Sequence, residues 1–226
     1  MEEFFRQFLD ALSQTGWLEG VAVVSGIASV WLARQENILV YPVGLVNTIF
    51  YVYLSFSGAL FGEAAVNLYY TLMSIYGWII WSKKDQRKEY ILHITESSMK
   101  QWIGQLIFFG VFFVAIYFAL VYLREAFSAQ PIPLADALAS ATAFTGMWLM
   151  AKKKVESWYW WIATNIISVP LFYTKGYALT SVYYFILLIM AFFGLQEWKR
   201  KARTTRLADI KTIIVSGLLF IVSGSY

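Results

Sequence analysis

The sequence predicts an all-α membrane protein of seven transmembrane helices, arranged three plus one plus three. Its two three-helix repeats are expected to be parallel, related by a pseudo-two-fold axis along the membrane normal. Three observations predict this. The first is composition: 59% of the 226 residues are hydrophobic and only 14% are charged, too few charges to cover so apolar a surface in water. The second is a series of apolar runs close to the ~20 residues that cross a hydrocarbon core. The third is duplication. Trp31, Gly77 and Trp81 recur 117 positions later as Trp148, Gly194 and Trp198, and Asn47 and Gly58 recur 118 positions later as Asn165 and Gly176. Such chains are the pattern of transporters that hold a solute between their copies near the bilayer midplane.

The first element is an N-terminal amphipathic segment, residues 1–16. Glu2, Glu3 and Asp10 outnumber Arg6 there, which argues against a cleavable signal with its positive start. Phe4, Phe5, Phe8, Leu9 and Leu12 fall on one helical face, as in a helix lying on a membrane surface. The first repeat, 17–81, holds spans 17–33, 38–56 and 64–81. A basic loop, 82–100, leads to a linker helix over 101–123. The second repeat, 134–198, holds spans 134–151, 157–174 and 178–198, and a basic tail covers 199–226. Pro131 and Pro133 stop the chain before the fifth span and suit a first helical turn. Gly58 and Gly176 mark turns after the second and sixth spans. Residues 213–222 are apolar but short and broken by Gly and Ser, so the tail from Leu207 is expected to be interfacial or loosely ordered.

Charge sets the orientation. Arg6, Arg124 and Lys175 are three of the 18 basic residues, and they share one side with the N-terminus; the other 15 lie on the opposite side. That bias predicts the N-terminus outside and the C-terminus in the cytoplasm. A three-span unit ends opposite its start and the fourth span crosses back, so the copies run parallel.

Several function classes are excluded on these grounds. The chain has no cysteine and one histidine, His93, in a polar loop, which rules out disulfides, thiol chemistry and Cys- or His-rich metal sites; no cofactor is expected. The net charge of +4 sits at span ends and is not a nucleic-acid-binding face. No ionisable residue lies deep in a span, since Glu63, Asp136, Glu156 and Glu197 are at the ends; this argues against proton coupling. There is no phosphate-binding loop for an ATP-driven pump and no nucleophile–His or paired-acid constellation for an enzyme. Facilitated diffusion by alternating access remains, with a cytoplasmic sink for net uptake.

Asn47 and Asn165 lie about 12–14 Å along their helices, near mid-membrane. Carboxamides facing lipid there would be costly, so both should face inward, across the axis from each other. Helix–helix bonding by Asn is the competing explanation; the symmetric pair favours a substrate site. Trp158, Trp161 and Asn165 share one face of span six, suited to a flat, polar heteroaromatic ligand, cationic ones included. Trp158 and Trp160 also suit an interfacial belt, because Lys152, Lys153 and Lys154 precede them; Trp161 is deeper. Asn67, Tyr70, Ser74 and Trp78 form a polar-aromatic stripe on span three that either packing or a pathway would produce. Tyr183 and Tyr184 align near Asn67 and Tyr70 in the second repeat and are weaker candidates. Pro170 should kink span six just past Asn165.

The segment 158–165, with Trp158, Trp161 and Asn165, and the segment 67–81, with Asn67, Tyr70, Gly77, Trp78 and Trp81, resemble the signature segments of the PnuC family of nicotinamide riboside transporters. The resemblance covers residues 17–201 and extends, more distantly, to the SWEET sugar transporters. It implies inward, uncoupled transport of nicotinamide riboside, a vitamin B3 form and NAD precursor, across a bacterial inner membrane. A cytoplasmic kinase would trap the product, and the protein would be a homotrimer with one pathway per protomer. Under the resemblance a flat pyridinium ring suits Trp161, and the ribose hydroxyls suit Asn47, Asn165 and Tyr70; with the helix-face candidates, the expected substrate-binding set is Asn47, Asn67, Tyr70, Ser74, Trp158, Trp161, Asn165 and Tyr184. The rival readings are a sister transporter for thiamine, riboflavin or a deoxynucleoside, a passive channel, and a non-transporting membrane scaffold.

Overall fold

In a bilayer only an intrasegment hydrogen-bond ladder satisfies the backbone of a lone apolar run, and the apolar runs here are all helical. The structure, a computed structural model, describes residues 17–57, 61–86, 88, 90–123 and 132–223. The expectations for residues 1–16, Gly58, Arg124 and Pro131 fall outside them. Seven helices are described: α1 (Trp17–Gln35), α2 (Val40–Ser57), α3 (Phe61–Ser82), α4 (Met99–Tyr122), α5 (Pro133–Ala151), α6 (Ser157–Thr174) and α7 (Ala178–Ser223). Of these, α2, α4, α5 and α7 are both long and apolar enough to cross a membrane.

Helix ends lie within three residues of the predicted spans, except the last. The stop signals explain the agreement. Pro133 opens α5 at its first position, and Gly176 adopts φ +81° in the turn after α6, a conformation glycine enters without a Cβ penalty. The exception is α7, which continues unbroken to Ser223, where a loose or interfacial tail was expected. Its basic stretch is a good helix: Thr204 and Thr205 hydroxyls bond the carbonyls of Arg200 and Lys201, and Arg200 pairs with Glu197 one turn back.

The helices close into a ring. α1 packs on α2, α2 on α3, α3 on α5, α5 on α6, α6 on α7, and α7 back on α1, while α4 leans on α5 from outside. α5 touches three neighbours and is buried around much of its girth, and small residues that permit close approach recur there: Ala137, Ala139, Ala141, Ala143 and Gly146. α4 buries only Gln105 and Leu120 and exposes Ile103, Ile107, Val111, Val114 and Phe118, as a lipid-facing helix would. Gln105 ties α4 to the ring: its amide donates to Ser97 Oγ (2.8 Å) and its carbonyl accepts from Trp160 Nε1 (3.1 Å). Ser97 in turn bonds Glu156 through both its backbone N and its hydroxyl. Trp160, expected in an interfacial belt, is therefore a helix–helix contact.

Positions 117 apart make matching contacts at the basic end. A Cβ on Gly77 would clash with the ring of Tyr41, and one on Gly194 with the ring of Trp158. Tyr41 meets Trp81 edge-on at 5.0 Å, and Trp158 meets Trp198 edge-on at 5.6 Å. Each of those two tryptophans donates across the ring, Trp81 to the Ala151 carbonyl and Trp198 to that of Ala33. Glu36 and Lys153 both take left-handed conformations and pair with each other at 2.8 Å. Lys201 adds a third charge, 3.2 Å from Glu36.

Candidate functional site

The ring encloses a cavity of about 780 Å³, walled by residues of all six ring helices and by Ile116 and Leu120 of α4. Towards the basic end its wall includes Ala33, Tyr41, Met150 and Trp158, and the buried Trp81 and Trp198 pack behind these aromatics. A volume of this size falls in the range of small-molecule sites.

All eight residues singled out in the sequence line this cavity: Asn47, Asn67, Tyr70, Ser74, Trp158, Trp161, Asn165 and Tyr184. Asn165 is 3% exposed, so its carboxamide is turned inward from α6. Asn47 reaches the wall from α2 beside Gly26 of α1; a Cβ there would collide with the Tyr183 hydroxyl and stand 3.4 Å from Asn47 Nδ2. Trp161 lies across Gly146, whose missing side chain leaves room for the indole. Tyr184 stacks on Phe172 at 5.1 Å with ring planes 8° apart, and Tyr70 meets Phe144 edge-on at 5.6 Å. The cavity therefore combines flat aromatic faces with three carboxamides, those of Asn47, Asn67 and Asn165.

Two placements correct the sequence reading. Trp158 is no belt residue: at 1% exposure it belongs to the apolar core, because Gly194 leaves α7 open to its ring. Its Nε1 and the Tyr41 hydroxyl are buried without a hydrogen-bond partner among the described residues. Both are donors, and burying such groups unpaired is costly. Trp78, the last member of the α3 stripe, does not line the cavity and is exposed. By helical angle it stays within about 20° of Asn67; at its level the wall is made by Tyr41, which is seated against Gly77.

Other wall residues went unselected. Tyr51 and Ser55 follow Asn47 at i+4 and i+8, and Thr164 and Ser168 follow Trp161 at i+3 and i+7. The same face rule that grouped Trp161 with Asn165 would have found them. Thr164 donates to Thr142 of α5 at 2.9 Å, and Thr71 of α3 donates to Thr48 of α2 at 3.1 Å. Gly26 and Tyr183 meet between α1 and α7, a contact no local periodicity signals.

Among the described residues only two charged side chains line the cavity, Asp136 at the start of α5 and Lys175 after α6. Lys175 Nζ contacts both Asp136 carboxylate oxygens, at 2.7 and 2.8 Å. The wall is thus close to electrically neutral. Such a chamber can hold a flat ring between aromatic faces and bond hydroxyls or an amide through Asn and Tyr; it offers no uncommitted cation to an anion.

Comparison with known proteins agrees with this geometry. The riboflavin/roseoflavin transporter RibM of Streptomyces davaonensis is 22% identical over 192 residues, covering 83% of this chain and 86% of that protein. The nicotinamide riboside transporter PnuC of Escherichia coli (strain K12) is 26% identical over 207 residues, covering 83% of this chain and 87% of that protein. A crystal structure of the vitamin B3 transporter PnuC shares the fold, with a TM-score of 0.67 at 23% identity over 89% of this chain and 88% of that one. The family model described as nicotinamide mononucleotide transporter matches residues 16–200, and the chain belongs to that family.

Proposed function

We propose that this protein carries nicotinamide riboside across a bacterial inner membrane by uncoupled facilitated diffusion with alternating access. The observation that carries the reading is the cavity itself, a neutral, aromatic chamber lined by three carboxamides inside a ring of helices. The pyridinium ring would lie against Trp161 and Tyr184, and the ribose hydroxyls and carboxamide would bond Asn47, Asn165, Asn67, Tyr70 and Ser74. Trp158 would line the basic end of the site. The family is described by the mononucleotide, yet the relatives from Escherichia coli and Neisseria mucosa are named for the riboside. The neutral wall favours the riboside, because a phosphate would enter without a free cation to meet it.

The rest of the reading follows from the charge bias and the duplication. All seven helices would cross the bilayer, with the basic end cytoplasmic. The matched contacts of Gly77 with Gly194 and Trp81 with Trp198 support two parallel three-helix repeats with α4 as linker, as in SWEET-like carriers. The family resemblance implies a homotrimer, with a cytoplasmic kinase as the sink. Riboflavin is the second substrate to consider, because RibM covers as much of this chain as PnuC does.

Counterflow into liposomes tests the reading. Purified protein, vesicles preloaded with unlabelled nicotinamide riboside and no ion gradient should give saturable uptake of the labelled compound, blocked by cold riboside and not by thiamine or riboflavin. Absence of counterflow, or block by riboflavin alone, would overturn the assignment.

A further inference from the structure

Asp136 and Lys175 sit at the end of the cavity away from the basic loops, and nothing in the transport cycle sketched above uses them. Their geometry is well defined. The Asp136 carboxylate accepts from the Ile132 backbone N at 2.7 Å, which fixes it in the first turn of α5. Lys175 caps α6 and reaches back to both carboxylate oxygens. The two side chains are 18% and 11% exposed. Lys175 Nζ also lies 5.8 Å from the centre of the Phe172 ring, which stacks on Tyr184 of the proposed site. The pair is therefore joined to the site through two stacked rings.

A lone ammonium on this wall would act strongly on any charged solute, because screening is weak between low-dielectric walls. It would repel a pyridinium cation and attract a phosphate. A lone carboxylate would do the reverse. We propose that Asp136 and Lys175 together set the charge selectivity of the carrier: Asp136 cancels Lys175, so the nucleoside is accepted and its 5′-phosphate is refused. This inference rests on the proposed substrate class. A purely structural role, stapling α5 to the end of α6, is the alternative, and it makes a different prediction.

The experiment is competition binding to purified full-length protein, comparing nicotinamide riboside with nicotinamide mononucleotide. D136N keeps the shape and leaves Lys175 bare; it should shift the affinity ratio towards the mononucleotide by about tenfold or more. K175M leaves Asp136 bare and should shift the ratio the opposite way. D136N/K175M should return it to the wild-type value. Opposite shifts cancelling in the double variant would establish the inference. Equal losses for both ligands in every variant, or shifts of one sign, would show a staple only and overturn it. Wild-type protein that binds riboflavin and not nicotinamide riboside would refute the substrate reading alone; riboflavin and its 5′-phosphate then make the same comparison. Wild-type protein that binds neither compound would overturn both.

Discussion

Replacing Glu36 with Gln should weaken the closure at the basic end of the ring. Lys153 is 5% exposed and lies 2.8 Å from Glu36, its one ion-pair partner among the described residues; Lys201 shares the same carboxylate. Removing one partner of a fully buried pair costs ~3–5 kcal/mol. Two features reduce that here. Glu36 is 25% exposed, and Lys153 keeps the face of Trp81, with Nζ 4.6 Å from the ring centre, a contact of about 1–2 kcal/mol. The expected cost of E36Q is thus about 2 kcal/mol, or roughly 4–8 °C in unfolding midpoint for a chain of this size. Tryptophan fluorescence during thermal unfolding in detergent measures it, since Trp81 and Trp198 lie at the same end. E197Q is the control: Arg200, its partner, is 74% exposed, so the loss should stay below about 1 kcal/mol. E36Q/K153M removes the stranded charge and should recover most of the stability. A shift for E36Q no larger than for E197Q, or a double variant worse than E36Q, would refute the reasoning.

Other outcomes follow from single contacts. W161A and N165A should each weaken nicotinamide riboside binding while the protein stays folded; binding at full strength would remove that residue from the site. G194A presses a methyl against the Trp158 ring and should cost about 1–3 kcal/mol by overpacking, whereas G20A, with nothing within 4 Å, should be neutral or gain up to ~1 kcal/mol; unfolding midpoints of the two variants decide it. Q105L strands the Trp160 indole N–H, while the Ser97 hydroxyl keeps its bond to Glu156, and should lower stability by about 1–3 kcal/mol, read as faster hydrogen exchange at the α4–α6 contact.

The helix positions were legible because each rests on local rules. A run of bilayer length must satisfy its own backbone, and Pro133 and Gly176 interrupt it where the chain turns. The carboxamides were legible for a similar reason: Asn47 and Asn165 are too polar for lipid at their depth, and inward is the one direction left. What the sequence did not reveal concerns partners far along the chain. Nothing near Trp158 announces that Gly194 of α7 opens a slot for it, and nothing near Gln105 announces Trp160. Trp158 was drawn towards the belt by its lysine neighbours, a nearest-neighbour signal that the packing overrides.

By itself, then, the sequence determined where helices start and stop, which end is basic, and which side chains cannot face lipid, because these depend on hydrophobicity, depth and charge along one segment. Only the tertiary structure decided that six helices close around a cavity, that Glu36 meets Lys153, and that Asp136 cancels Lys175. Those depend on which distant surfaces fit together, and complementarity of shape and charge between segments has no period along the chain.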